Sequence, residues 1–259
     1  MDAGTGLALF GTAKLVEKLL GPTAEYIGSG INIWAKKRVT NVRLIVNKAV
    51  LKLGPKMDLP GAVPPKVLKG ILDDGSFVDD DLTQEYFAGV LASSRSNVQR
   101  DNRGVSFIAL LNGLSNYQIR AHYIFYVIVK CLLDGSGLTF AIDDRQKMRV
   151  FIPYSSYYST MDFNEEERHR LRMFREHVFF GLLKEGLIDK MFYGDVDYLR
   201  KRYKQAPADG VVFQPSVLGA ELFLWAHGYS SESVSDLLKP ENDFKIETPI
   251  EVSAGYQRL

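Results

Sequence analysis

Apolar residues recur at helical spacing through most of the first 133 positions and give way to shorter, alternating runs beyond Gly135. Over residues 3–20, Leu7, Phe10, Leu15, Val16, Leu19 and Leu20 share one side and Lys14, Glu17 and Lys18 another, which predicts an amphipathic helix. Gly4, Gly6 and Gly11 weaken it by about 1 kcal/mol each relative to alanine, and Gly21-Pro22 stops it. Residues 23–53 predict one long helix, or two broken at Gly28-Ser29-Gly30. Ile31, Trp34, Val39, Val42, Ile45, Val46, Ala49, Val50 and Leu53 mark its apolar side, and Gly54-Pro55 ends it. Pro64-Pro65 opens a short helix to Leu72. Asp81, with Gln84 three residues on, reads as the cap of the next helix, which carries Leu82, Tyr86, Phe87, Val90 and Leu91. Helices near 103–113 and 116–133 follow, the second capped by Ser115.

Past Gly135, Leu138–Ile142 and Met148–Ile152 predict a hairpin around Asp143-Asp144, and Tyr154–Tyr158 an aromatic, serine-rich loop. Asn164 caps a helix to about Lys184, Gly186-Leu187-Ile188 turns into a strand, Gly210–Phe213 is another strand, and Ser216–His227 another helix. This order resembles a winged-helix-like module with a long insert. Residues 230–238 add a short helix, and the tail from Glu241 is extended, with Phe244, Ile246, Ile250 and Val252 partly alternating. The expected architecture is mainly α: an N-terminal helical bundle with a C-terminal α+β winged-helix-like module. Its expected parts are amphipathic and basic helices (1–60), a helical core (61–134), the α+β module (135–240) and the tail (241–259).

With 259 residues, 46% of them hydrophobic and 24% charged, the chain has the composition of an ordinary globular protein with a sizeable core. The net charge of +1 argues against a surface that coats nucleic acid throughout. Charge is unevenly placed, however. Between Glu25 and Asp58 no acidic residue occurs, while Lys36, Lys37, Arg38, Arg43, Lys48, Lys52 and Lys56 do. The lone Cys131, within the apolar run Tyr123–Leu133, predicts a buried thiol and no intrachain disulfide, which suits a reducing cytoplasm. Asp2 stands where a secretory signal needs basic residues, and no run of about 18 apolar residues supports a membrane-crossing helix.

Candidate chemistry is sparse. Asp73, Asp74, Asp79, Asp80 and Asp81 form an acidic cluster, but without the residue order of a calcium-binding loop, so helix capping explains them better than metal. His169 and His177 are eight apart, about 12 Å along a helix axis, too far to share a zinc ion, and His122 and His227 lie elsewhere in the chain. No nucleophile elbow, phosphate loop or dinucleotide fingerprint occurs. The expectation is therefore no catalytic residue, no metal and no cofactor.

Two basic sets remain as nucleic-acid or anion-binding candidates: Lys36, Lys37, Arg38 and Arg43 on the long helix, and Arg168, Arg172, Arg175, Arg200 and Arg202 further on. The run Glu165-Glu166-Glu167 offers Arg168 and its neighbours a competing role in salt bridges within the helix. Tyr198 and Tyr203 flank Arg200-Lys201-Arg202 and Lys204 and are placed to stack on bases. Leu7, Phe10, Leu15, Leu19, Ile27, Ile31 and Trp34 are the candidates for a membrane or oligomer interface; Trp34 before Lys36-Lys37-Arg38 resembles an interfacial anchor.

Four stretches, LVEKLLGPTAEYIGSGINIW, VPPKVLKGILDDGSFVDDDLTQEYFAGVLASS, SFIALLNGLSNYQIRAHYI, and FFGLLKEGLID with VVFQPSVLGAELFLWAHG, resemble the abortive-infection alpha (Abi-alpha) family of bacterial antiphage proteins. They cover most of the chain but not the 189–210 insert or the tail after 240. Their motifs are apolar and structural, and no catalytic residue carries over. The resemblance implies phage defence by abortive infection, in which an infected cell is killed or arrested. The residues add a first reading, a non-enzymatic homo-oligomer that permeabilises the membrane through its N-terminal helices. The alternatives are a nucleic-acid sensor or nucleic-acid-gated effector, and a metal-dependent nuclease using Asp73–Asp81. Expected partners are further copies of the chain, a membrane, an oligonucleotide and a protein of the same defence operon. The expected location is the cytoplasm, with association to the inner membrane under the first reading.

Overall fold

The computed structural model describes residues 31–98, 100–230, 233–247 and 249–259. The helix expected over 3–20 and the interface candidates Leu7, Phe10, Leu15, Leu19 and Ile27 lie outside the described residues, and Ile31 and Trp34 are described by backbone only.

The described chain is mainly helical, with a small four-stranded antiparallel sheet. Helix α1 spans Ile31–Leu53 and ends at Gly54, whose φ of 48° glycine adopts without strain. Its inner side carries Ile45 and Ala49, but also Asn41 and Lys48, which are buried too. Helix α2 (Pro65–Asp73) begins on a proline preset for the first turn. Helix α3 (Asp81–Ser93) is the centre of the helical half, with every residue from Leu82 to Ser93 buried. Its cap is Asp80 rather than Asp81: Thr83 N donates to Asp80 Oδ2 at 2.8 Å. Asp81 turns instead to Lys48, and Gln84 donates to the Val78 carbonyl, so the expected capping box does not form.

Helix α4 (Gly104–Gly113) leads to α5 (Asn116–Leu133), which Ser115 caps as expected, and Gln118 closes a reciprocal capping box with it. Cys131 departs from expectation: α5 is buried on most sides, yet Cys131 falls on its remaining outward strip and is exposed.

The predicted hairpin does not form, and only its second strand is present. Residues 138–141 are not a strand; Gly135 and Gly137 adopt positive φ, and Thr139 gives both N–H and Oγ1 to Asp144, fastening a turn before the short helix α6 (Ile142–Arg145). Strand β1 is Val150–Pro153. The stretch expected as a loop is helix α7 (Tyr154–Met161), which buries Tyr157 against Phe125 and Phe179 and ends at Asp162 in the left-handed region. The helix expected from Asn164 to Lys184 is two: α8 (Glu165–Arg168), with an Asn164–Glu167 capping box, and α9 (Leu171–Lys184). Strand β2 (Ile188–Gly194), helix α10 (Val196–Arg200), strand β3 (Gly210–Pro215), helix α11 (Val217–Ala226), a 3-10 turn at Val234–Leu238 and strand β4 (Gln257–Arg258) complete the order.

The sheet runs β2-β3-β1-β4, so β1 is flanked by strands that come later in the chain. Side-chain alternation sorts its two faces. Val150, Ile152, Val211 and Phe213 join the main core with Ile45, Tyr86, Phe125 and Trp225. Phe151 and Val212 point the other way and form a second, smaller core with Leu199 and Ala206 of the insert.

Candidate nucleic-acid interface

The insert between β2 and β3 is built on that second core. Asp195 caps α10 by accepting from Tyr198 N at 2.7 Å, and Asp209 accepts from Val196 N at 2.8 Å, tying both ends of the insert together. Arg200 Nε donates to the Ala206 carbonyl at 3.0 Å, which holds the loop after α10 over Leu199. Two of the insert's three carboxylates are thus committed to backbone N–H groups. Its four cations, Arg200, Lys201, Arg202 and Lys204, lie together at and beyond the C-terminal end of α10, exposed, and among the described residues none of them is in an ion pair.

Beside them lies a shallow cavity of about 310 Å³ lined by Phe192, Tyr198, Leu199, Lys201, Arg202 and Tyr203. The Arg202 guanidinium sits 4.2 Å above the Phe192 ring, and Phe192 meets Tyr203 edge to face at 5.7 Å. Unpaired guanidinium and ammonium groups around exposed π-faces suit phosphates and unstacked bases. Sequence reasoning placed Tyr198 and Tyr203 but missed Phe192. The signal was its alternation in β2, where Met191 and Tyr193 take the main-core face and Phe192 the other.

The remaining basic candidates are mostly engaged locally. Lys37 pairs with Asp79 at 3.4 Å, and Arg38 donates to Ser76 Oγ at 2.8 Å while covering the Phe77 ring. Arg168 donates to the Phe163 carbonyl rather than to the Glu165–Glu167 run, and Arg172 pairs with Glu176 at 2.8 Å. Arg175 is half-buried among tyrosines on the main-core side of the sheet. Lys36 and Arg43 stay exposed on α1. Lys48 and Lys52, from the same interval without acidic residues, point inward to Glu85.

In the acidic cluster Asp73 pairs with Lys69, Asp79 with Lys37 and Asp81 with Lys48, while Asp80 caps α3. Among the described residues no group of three or more histidine, cysteine or acidic side chains is arranged to hold a metal ion. His177 meets Ser115 Oγ at 3.0 Å, but that hydroxyl is already the α5 cap.

Two histidines are interior. His122 Nε2 lies 3.0 Å from the Gly219 carbonyl, an acceptor only, so Nε2 carries the proton and Nδ1 accepts from Tyr86 OH at 2.7 Å. Burial pushes His122 down to about 3 and Tyr86 well above its ordinary value, so the pair stays neutral. His227, donating to the Phe223 carbonyl, is also pushed down to about 3 by burial.

No protein-family model, curated protein or solved structure matches the chain. Among the described residues no helix is long and apolar enough to cross a membrane.

Proposed function

We propose that the chain is a non-enzymatic antiphage effector of the abortive-infection type, gated by a nucleic acid held on the insert between β2 and β3. The observation that carries the nucleic-acid part is the grouping of Arg200, Lys201, Arg202 and Lys204, without carboxylate partners among the described residues, beside the Phe192–Tyr198–Tyr203 cavity. The defence part rests on the Abi-alpha resemblance of the four stretches quoted above. In this reading α9, β2, β3 and α11 form a winged-helix-like module, and residues 195–209 extend its wing into a phosphate-binding platform.

The test is fluorescence anisotropy with labelled single-stranded and duplex oligonucleotides. Binding at micromolar protein or below in low salt is expected, falling steeply as salt rises. Replacing all four insert cations by alanine flattens the salt slope by about 3–4, at roughly 0.7–0.9 per phosphate contact. An unchanged slope, or no binding by the wild type, overturns the proposal.

A second reading, a homo-oligomer that perturbs the membrane, is favoured by the outer side of α1. Val39, Val46 and Val50 form one exposed stripe and Leu44 and Leu51 a second, with Lys36 and Arg43 between them. Val39 at 69% exposed and Leu51 at 66% are the extremes. Deleting residues 1–34 is expected to abolish vesicle leakage and cellular toxicity while residues 64–259 stay folded; full toxicity after that deletion removes this reading.

A further inference from the structure

Strand β4 pairs with β1 so that Gln257 stands opposite Phe151 and Arg258 opposite Val150. Residues directly opposed across a ladder point to the same face, and Phe151 belongs to the second core, so Gln257 faces the insert. Leu259 lies two residues on and shares that face; its N–H donates to the Arg149 carbonyl at 2.8 Å. The contacts agree with this sorting. Gln257 Nε2 donates to the Gln205 carbonyl at 3.5 Å, and the half-buried Leu259 packs against the second core, as Phe192 and Tyr203 do.

The loop after α10 is therefore held from two sides. Within the insert, Tyr203 N donates to the Leu199 carbonyl at 2.8 Å, Ala206 N to the Tyr203 carbonyl at 2.9 Å, and Arg200 Nε to the Ala206 carbonyl at 3.0 Å. Gln257 and Leu259 close the other side. This loop carries Arg202, Tyr203 and Lys204, and the first two line the cavity beside Phe192, which Gln257 and Leu259 do not. The core beneath the loop has four buried residues, Phe151, Leu199, Ala206 and Val212, so losing one apolar neighbour loosens a large share of its packing. The tail's own hold is slight. Ser253 N donates to Thr160 Oγ1 at 3.1 Å and Ser156 Oγ to the Ala254 carbonyl, which lays the tail along α7, and the ladder beyond them has two residues. A strand that short at a sheet edge undocks locally at far lower cost than the fold unfolds.

We infer that Gln257 and Leu259 are positioning residues for the nucleic-acid site on the insert: docked beside β1, they hold the loop so that Arg202 and Tyr203 border the cavity and Lys204 stays next to them. The inference rests on the nucleic-acid reading of the insert. Docking of the tail and binding at the insert are then linked, and linkage is reciprocal. A tail that strengthens binding by some factor is held down by bound nucleic acid by the same factor, so occupancy of the insert is felt at residues that do not line the cavity.

The test uses the full chain and the labelled single-stranded oligonucleotide of the anisotropy assay. The Gln257→Ala, Leu259→Ala double variant is expected to bind it about fivefold or more weakly, and Leu259→Met, which keeps the apolar volume, to bind within about twofold of the wild type. Hydrogen exchange read by mass spectrometry separates positioning from a general loss of stability and needs no variant to fold. Saturating oligonucleotide is expected to slow exchange in residues 252–259 of the wild type by about fivefold or more, and to leave it unchanged in the variant lacking all four insert cations. Equal affinity of the double variant and the wild type, or unchanged exchange in residues 252–259 when the oligonucleotide binds, overturns the inference and leaves the nucleic-acid reading of the insert standing. No binding by the wild type overturns that reading and this inference with it.

Discussion

Lys48 Nζ lies 2.8 Å from Glu85 Oε1 with both side chains out of water, and Lys52 takes the other oxygen of Glu85 at 2.6 Å. Asp81 at 3.0 Å and Glu247 at 2.7 Å complete the shell of Lys48, so α1, α3 and the C-terminal tail meet at one charge cluster. Burial alone would raise Glu85, but Lys48 and Lys52 outweigh it and hold the carboxyl below its ordinary value. Burial would likewise lower Lys48, yet the hydrogen bonds to Glu247, Glu85 and Asp81 raise it. Removing the central anion takes from Lys52 its carboxylate and from Lys48 the one of its three that is out of water. Glu85→Gln is expected to cost about 3–5 kcal/mol, and Lys48→Met with Glu85→Leu less than Glu85→Gln alone. Urea midpoints at pH 7 decide this; a Glu85→Gln loss below 1 kcal/mol would refute the account.

Acid sensitivity follows from the two interior histidines. Their folded-state pKa of about 3 lies below the ordinary 6.5, so their contribution is fully present above pH 6.5 and is lost as pH falls toward 3. Near pH 5 the unfolded chain binds about two more protons there, giving a slope of about 2.7 kcal/mol per pH unit. The lowered Glu85 acts with the same sign, from its ordinary value of 4.5 downward. Stability measured by urea between pH 4.5 and 7.5 should show that slope, and His227→Gln should reduce it by about half. A flat profile down to pH 5 is the contrary result.

Two glycines predict opposite outcomes. A Cβ on Gly89 would lie 1.9 Å from the Ala226 carbonyl oxygen, because α3 and α11 touch backbone to backbone there. Gly89→Ala should cost about 3 kcal/mol or more. A Cβ on Gly113 meets nothing within 4 Å and its φ is not positive, so Gly113→Ala should be neutral or stabilise by about 0.4–1 kcal/mol. Thermal melts of the pair, differing in sign, are the check.

Tyr198 is half exposed beside the insert's cations. If bases stack there, Tyr198→Ala should weaken single-strand binding by about 1–3 kcal/mol and duplex binding much less. Equal losses for both would assign Tyr198 to phosphate contact instead.

Local signals in the sequence were legible and distant ones were not. Ser115 and Asn164 are readable as caps because a cap bonds to backbone within three residues of itself. The cap at Asp80 was misplaced by one because three aspartates in a row offer equal caps; the choice falls to Lys48, which claims Asp81 from a different helix. Tyr154–Tyr158 has the composition of a loop, and tertiary packing of Tyr157 makes it a helix. Leu138–Ala141 alternates like a strand but has no neighbour in the sheet. At the candidate site the cations and two tyrosines were visible, whereas their freedom from carboxylates, and the caging of Arg175, depend on contacts between remote segments.

The strand order has a consequence for synthesis on the ribosome. Val150 pairs with Phe213 on one side and Arg258 on the other, so neither neighbour of β1 exists when β1 leaves the exit tunnel. At about 5–20 residues per second, the apolar run Val150-Phe151-Ile152 waits for several seconds with both edges open. During that interval the nascent chain is a client for chaperones, and slowing translation between β1 and β3 should increase aggregation without altering the finished protein.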